Sequence, residues 1–351
     1  MLRILLACFI TLMAWPTPLA AQDSREALLV VSSHGRDGGE AQPGFEMDEL
    51  AQAWLVLASN GYDVRIASPE GGLVVADKYD ASKAYNAAFL GDPLAASRLA
   101  STLRLDPAMG TGYDIVMVIG GKGAMFDLPF SQILQSILLE QHDRGAVVVA
   151  VCHGPAVLAR VEREDGTRLV TGRRLSAFTD EEEAAFGEKW VGDFPFLIET
   201  RLRELGATFE ESDIMLPHVS VDANLVTGQN PFSVVGATEA AIRADGHRPA
   251  PRAMWKDERS MMLVAQAAAG DKAPLARAIA NEPASLDIPI VAAWAYYRGL
   301  MVKDDPQALS LSIELLELAR PHMDEPQLGQ VIHMLREERA ALCATSACPA
   351  S

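Results

Sequence analysis

Cysteine and basic residues are scarce in this chain, and their scarcity argues against several kinds of partner. The 351 residues include 4 cysteines, and their formal net charge is -17 at pH 7. So acidic a chain repels phosphate backbones and anionic membrane surfaces, so we expect neither nucleic acid nor a membrane surface as a partner. Clusters of His, Cys and Asp with the spacing of a metal site are also lacking, and we expect no metal and no other cofactor.

The apolar run near the start, residues 4–15, is too short to span a bilayer comfortably. It follows a short charged start and precedes small residues that end at Ala21, which is the pattern of a secretory signal peptide. We expect residues 1–21 to be removed on export to the periplasm or the medium. Leu19 stands where a small residue is preferred, so an uncleaved anchor is the alternative.

Removal of the signal peptide leaves an odd number of cysteines, namely Cys152, Cys343 and Cys348. In an oxidising compartment Cys343 and Cys348 could form a disulfide with each other. Cys152 would then be the unpaired thiol. It is either a buried apolar cysteine or a functional nucleophile, and the surrounding motif has to decide.

Residues 22–244 alternate short apolar runs with helical periodicity, which is typical of an α/β domain. We predict a flavodoxin-like, doubly wound parallel sheet sandwiched by helices, with residues 74–111 inserted as short helices that form part of a lid or wall. The predicted helices include 46–59 and 131–142. The predicted strands are 27–33, 63–68, 113–119, 146–151, 168–171, 218–221 and 225–227.

The composition changes at residues 245–252, which we interpret as a linker. We predict that residues 253–351 are an all-helical accessory region, because amphipathic segments follow one another between Pro and Gly-Asp turns. No repeat period is clean enough to name a repeat family. The predicted helices are 254–269, 272–281, 287–301, 306–319 and 327–342.

Cys152 lies between a β-branched strand and the glycine- and proline-containing start of a helix. A nucleophile on such a turn points into the crevice at the carboxyl edge of the sheet. Ala150 and Gly154 are small, as a crowded turn requires. The helix that follows directs free N–H groups at the sulfur, which predicts a thiolate at Cys152.

Two further segments follow predicted strands and complete the candidate site. In the Gly120-Gly121 pair, the N–H of Gly121 could form an oxyanion hole together with the N–H of His153. Glu46, Asp48 and Glu49 lie at a helix start, where solvated acids suit the helix dipole. For Glu49, the apolar neighbours suggest a half-buried carboxyl with a raised pKa that can exchange a proton.

The motifs resemble those of the ThiJ/PfpI group of the class I glutamine amidotransferase-like superfamily, in particular its glyoxalase III and chaperone branch. The resemblance covers about residues 26–243 and rests on five segments in register. They are GFEMDELAQAWLVLASNGYDVRIASPEGG, IGGKGAMFDLP, VAVCHGPAVL, LSAFTDEEE and VDANLVTGQNPFS.

The resemblance implies roles for individual residues. The nucleophile falls on Cys152, the adjacent histidine on His153 and the helix-start glutamate on Glu49. The acid that orients the histidine falls on Glu183, with Glu182 as the alternative because three glutamates stand in a row. The implied activity is a cofactor-independent, glutathione-independent conversion of methylglyoxal and other 2-oxoaldehydes to D-lactate and other 2-hydroxy acids.

This chain departs from relatives of that branch at two places that could line the pocket. Lys122 stands where a histidine is frequent, and Ala53-Trp54 stands where a proline and an aromatic residue are frequent. The substrate is therefore an open question, and a small aldehyde is the partner we expect. Two alternative functions remain: a periplasmic chaperone or redox sensor that binds protein clients, and a cysteine-dependent amidase or peptidase. A homodimer is expected by analogy only.

Overall fold

The fold is known from a computed structural model that describes residues 25–187, 189–302 and 304–345. The predicted signal peptide and Cys348 lie outside these residues. Helix α1 is Met47–Ser59, and the other helices are α2 Ala84–Gly91, α3 Pro93–Ala100, α4 Gln132–Asp143, α5 Asp180–Phe186, α6 Ile198–Glu204, α7 Val234–Ala244, α8 Lys256–Ala268, α9 Ala273–Asn281, α10 Ile288–Met301, α11 Pro306–Ala319 and α12 Leu328–Thr345.

A seven-stranded sheet forms the centre of the first domain, in the order β3-β2-β1-β4-β5-β9-β8. All neighbouring pairs are parallel except the hairpin β8–β9, which closes one edge. The strands are β1 Arg25–Val30, β2 Tyr62–Ser68, β3 Leu103–Arg104, β4 Ile115–Val118, β5 Val147–Val151, β6 Arg174–Leu175, β7 Thr208–Phe209, β8 Val219–Asp222 and β9 Leu225–Gly228.

Both faces of this sheet are covered, as runs of β-branched residues require. Residue Leu29 of β1 packs on one side with α1 and α7, and its neighbour Leu28 packs on the other with α4. The order of the strands reverses between β1 and β4, where the carboxyl ends open a crevice. The predicted doubly wound fold is confirmed.

The predicted strand at 168–171 is wrong. These residues form turns, with a single bridge between Arg168 and Glu162. Leu169 and Val170 are buried against the core as loop residues, so their apolar character reflects packing and not pairing. The strand lies further on, at β6, and pairs with β7 in a separate two-stranded sheet.

The insertion 74–111 contains α2 and α3, and it also supplies β3, which extends the sheet beyond β2. The C-terminal helices α8–α12 pack around their own hydrophobic cluster, which includes the buried side chains of Trp294 and Leu316. Residues 245–255 join this region to α7 without helix or strand. Within the described part of the chain, none of the helices has the length and apolar character needed to cross a bilayer.

Candidate active site

Cys152 is the first residue after β5 and has a backbone φ of 57°, a conformation that L-residues seldom adopt. Backbone hydrogen bonds hold it there, since its N–H donates to the Gly228 carbonyl at 2.9 Å and its carbonyl accepts from Phe178 N–H at 2.9 Å. A side chain at Gly154 would bring Cβ within 2.6 Å of the Val118 carbonyl oxygen. The turn therefore requires the small residue that follows it.

Burial opposes the thiolate that the sequence pattern predicts for Cys152. The residues after His153 form a 3-10 helix, Gly154–Arg160, and not an α-helix. Burial raises the pKa of the Cys152 thiol well above its usual value, and the nearby Glu49 carboxyl adds to the effect, whereas a hydrogen bond from Gly121 N–H opposes it. The thiol therefore needs a base to remove its proton.

His153 is placed to be that base. Its Nδ1 lies 3.2 Å from Cys152 Sγ, and its Nε2 lies 2.9 Å from Glu183 Oε1. A carboxylate accepts at Nε2, so the tautomer with the proton on Nε2 leaves Nδ1 free to accept from the thiol. The Phe178 ring stacks on the imidazole at 4.5 Å between centroids. The three side chains form a buried Cys–His–Glu series.

The structure distinguishes the two candidate acids. Glu183 contacts the histidine, whereas Glu182 accepts hydrogen bonds from Asn230 Nδ2 at 2.8 Å and Met215 N–H at 2.9 Å. Burial raises the pKa of Glu182 to about 7. Glu182 also forms a capping box with Thr179 at the start of α5. Glu182 therefore anchors the surrounding segments, and Glu183 orients His153.

Glu49 reaches the sulfur from α1. Its side chain is fully buried, its Oε2 accepts from Gly120 N–H at 2.7 Å, and it contacts the Cys152 side chain. Burial and the Glu46 carboxyl raise the pKa of Glu49 well above its usual range. The second carboxyl oxygen, Oε1, is buried without a hydrogen-bond partner. Glu49 therefore combines a retained proton with a free oxygen beside the thiol.

Gly121 lies against the start of α1 with a φ of 91°. A Cβ there would approach Glu46 N to 2.4 Å, so a side chain does not fit. The Gly121 N–H points at the Cys152 sulfur, where it can serve an oxyanion that develops on a carbon bound to that sulfur. Lys122, the next residue, lines the same cavity.

A cavity of about 240 Å³ opens over Cys152 and His153. This volume is small for a binding site, which favours a compact substrate. Its other lining residues are Glu46, Asp77, Gly121, Lys122, Phe178, Glu182, Phe186, Met215, Asn230, Pro231 and Phe232. Within the described residues, no group of three His, Cys, Asp or Glu side chains is arranged to hold a metal.

The expectation of solvated acids at Glu46 and Asp48 is wrong. Glu46 lines the cavity, and burial together with Asp48 and Asp77 raises its pKa to about 7. The Asp48 carboxylate accepts hydrogen bonds from Lys83 Nζ at 2.5 Å and from Asn86 Nδ2 at 2.6 Å. Both acids are covered by the insertion, whose packing against α1 is a tertiary contact.

Asp77 and the apolar side chains of the cavity are not predicted by the sequence patterns. Asp77 belongs to the insertion, which the sequence indicates only as a lid or wall, and it accepts from Gly44 N–H at 2.6 Å. Phe186, Met215 and Phe232 carry no local signal, because apolar residues on helices and loops are ordinary core candidates. Of the two departures noted above, Lys122 lines the cavity, whereas Trp54 is buried in the core against Phe89 at 5.6 Å.

The model of the DJ-1/PfpI family matches residues 41–243, more than half of the chain. The chain belongs to the DJ-1/PfpI family. The resemblance deduced from the motifs is thereby confirmed. The match ends before α8, so the C-terminal helices lie outside the family domain.

Among relatives, the DJ-1/PfpI chain is 30% identical to a "Glutathione-independent glyoxalase hsp3102" of Schizosaccharomyces pombe, over 63% of this chain and 97% of that protein. It is 31% identical to "Glyoxalase 3" of Candida albicans, over 56% and 87%. The crystal structure of glyoxalase III from Candida albicans superposes with a TM-score of 0.56 at 26% identity, covering 63% of this chain and 97% of that one. These similarities support the glyoxalase III branch of the family.

Proposed function

We propose that this protein is a glutathione-independent glyoxalase that converts methylglyoxal and similar 2-oxoaldehydes to 2-hydroxy acids. The observation that carries the proposal is that Glu49 and His153 both contact one buried thiol, and that this thiol and His153 line a cavity of small volume. An internal transfer of hydrogen between adjacent carbons needs a nucleophile, a base and an acid around one carbon. These three side chains supply them.

The reaction begins when Cys152 attacks the aldehyde carbon. The thiol proton passes to His153 Nδ1, which lies 3.2 Å away, and Glu49 gives its retained proton to the aldehyde oxygen. Glu183 stabilises the imidazolium that forms. The N–H groups of Gly121 and His153 stabilise the developing oxyanion, and the product is a hemithioacetal on the sulfur.

Glu49, now a carboxylate, removes the hydrogen from the former aldehyde carbon while His153 returns a proton to the ketone oxygen. The resulting enediol accepts the proton from Glu49 at the second carbon and loses its hydroxyl proton to His153. A thioester of the 2-hydroxy acid remains on Cys152. Water, deprotonated by Glu49, releases the acid, and His153 reprotonates the thiol.

The test is lactate formation from methylglyoxal without glutathione. We expect turnover by the wild type, no turnover by Cys152→Ser, and a fall of about a hundredfold or more in kcat for Glu49→Gln. Asp92→Asn, a cap residue at the start of α3, serves as the control for loss of one carboxyl and keeps wild-type turnover. Wild-type rates no higher than those of Cys152→Ser contradict the proposal.

A second candidate function, binding of protein clients as a chaperone, is favoured by exposed apolar side chains in the insertion and directly before it. Leu73 is 79% exposed and Leu94 is 51% exposed. A surface patch of exposed apolar side chains can bind apolar segments of other proteins. We expect Cys152→Ser to suppress aggregation of a model client as wild type does, and the Leu73→Ser, Leu94→Ser double variant to do so less well. Equal suppression by all three proteins argues against this site.

Export remains part of the proposal, on the pattern of residues 1–21. We expect the protein purified from the periplasm or the medium to lack these residues. Intact-mass measurement of the exported protein decides between cleavage and an uncleaved anchor.

A further inference from the structure

One wall of the active-site cavity is shared with the core of the C-terminal helices. Phe186, Met215 and Phe232 line the cavity. The same three side chains pack in, or against, the hydrophobic cluster of α8–α12. The position of this wall therefore depends on a region outside the family domain.

Phe186 is held by an aromatic contact from α10. It is the last residue of α5, the helix that also carries Glu183. Its ring centroid lies 4.6 Å from that of Tyr297 at an interplanar angle of 71°, the edge-to-face geometry that aromatic pairs prefer. The Tyr296 ring also contacts the Tyr297 ring, at 5.2 Å between centroids. The position of the Phe186 ring is therefore stabilised by a side chain that does not line the cavity.

Met215 is braced in a similar way. Its φ of 62° lies in a region that residues with side chains avoid, so surrounding contacts must maintain it. Its N–H donates to Glu182 at 2.9 Å, and its neighbours on both sides are buried in the helical cluster. Asp213 pairs with Arg298 of α10 at 3.0 Å. Helix α10 thus contacts two segments of the same wall.

We propose that α10, through Tyr297 and Phe186, determines the largest aldehyde side group that the cavity admits. The proposal rests on the function proposed above. Tyr297 is a positioning residue, because it acts on the substrate through Phe186. Its removal leaves space behind Phe186, so the ring can turn away from Cys152 and the cavity can accept a larger group.

The test compares kcat/KM for phenylglyoxal with kcat/KM for methylglyoxal in the full-length protein. We expect Tyr297→Ala to raise this ratio about tenfold, since room for a larger apolar group changes selectivity by such a factor. Tyr297→Phe keeps the ring contact and the wild-type ratio. Leu318→Ala truncates the same helical core on α11, and it also keeps the ratio, because partial loss of folded protein lowers both rates equally. An unchanged ratio in Tyr297→Ala overturns the proposal.

A second readout separates this proposal from the proposed function. Alkylation of Cys152 by iodoacetamide and by its bulkier N-phenyl derivative requires no turnover. We expect Tyr297→Ala to accelerate the bulky reagent relative to the small one, again with Tyr297→Phe as wild type. If neither the wild type nor any variant converts aldehydes but the alkylation ratio shifts, the proposed function is wrong, whereas the role of Tyr297 in limiting the size of the cavity is supported. If the protein converts methylglyoxal and neither the kcat/KM ratio nor the alkylation ratio shifts in Tyr297→Ala, only the proposed role of Tyr297 is contradicted.

Discussion

At the scale of single residues, the reactivity of Cys152 depends on which neighbour takes its proton. His153 Nδ1 lies at 3.2 Å, and Glu183 accepts from the other ring nitrogen at 2.9 Å. The carboxylate stabilises a protonated imidazole and sets the tautomer. A substitution of Glu183 can therefore change the reaction rate without altering the shape of the site or the sulfur.

Glu183→Gln removes this charge and keeps the volume of the side chain. We expect kcat for methylglyoxal to fall about a hundredfold or more, because the amide does not stabilise the imidazolium. Glu181→Gln is the matched control, since Glu181 is exposed on the same helix. Equal kcat values for the two variants would contradict a role of Glu183 in the reaction.

The pH dependence of Cys152 alkylation reports on Glu49. Burial and the Glu49 carboxyl hold the thiol pKa well above its ordinary value of 9.0. At the alkaline pH of thiol titration the Glu49 carboxyl has given up its proton, and the carboxylate disfavours a second negative charge, so its loss lowers the thiol pKa. We expect the midpoint of iodoacetamide labelling to lie above pH 9 in the wild type and to move to lower pH in Glu49→Gln. A shift to higher pH, or none, contradicts this coupling, and Glu181→Gln is expected to leave the midpoint in place.

At the scale of elements, the site depends on how closely the turn after β4 approaches the turn after β5. A Cβ on Gly120 would lie 2.7 Å from Cys152 Cβ and 2.9 Å from both Glu49 Oε2 and His153 N. All three atoms belong to the site. The glycine pair is therefore required by contact between two strand ends and the start of α1.

Gly120→Ala should separate these elements. We expect loss of turnover together with a fall of about 1–3 kcal/mol in the free energy of unfolding, the usual cost of an added group in a packed region. Gly112→Ala is the matched control, because no atom lies within 4 Å of the position that a Cβ would take there. Urea denaturation measures the change in stability, and the lactate assay measures the loss of turnover. Wild-type values of both for Gly120→Ala would contradict the requirement for close contact between the two turns.

At the scale of the whole molecule, Tyr85 joins three regions. Its hydroxyl lies 2.9 Å from Asp48 of α1 and 2.7 Å from Asp257 of α8, and it donates to one of them at a time. Tyr85 itself belongs to the insertion and is buried. The insertion, the first helix and the C-terminal region therefore meet at one hydroxyl.

Tyr85→Phe leaves buried carboxylate oxygens without this donor. We expect the free energy of unfolding to fall by about 1–3 kcal/mol, the cost of an unsatisfied buried polar group. Tyr79→Phe, at a tyrosine that is 38% exposed in the same insertion, should change the stability little. A urea midpoint for Tyr85→Phe equal to that of Tyr79→Phe would mean that the network adds nothing to stability.

Local patterns in the chain are enough to establish the layered α/β fold, the helical C-terminal region and the positions of Cys152, His153 and Gly121. Apolar runs, helical periodicity and small residues at a turn can be recognised without coordinates, because each is a property of neighbouring residues. The choice of Glu183 over Glu182, the burial that raises the thiol pKa and the surroundings of Glu46 follow from tertiary packing. The same is true of the wall formed by Phe186 and Tyr297. Each depends on which segments distant in the chain pack together, and on the water that their packing excludes.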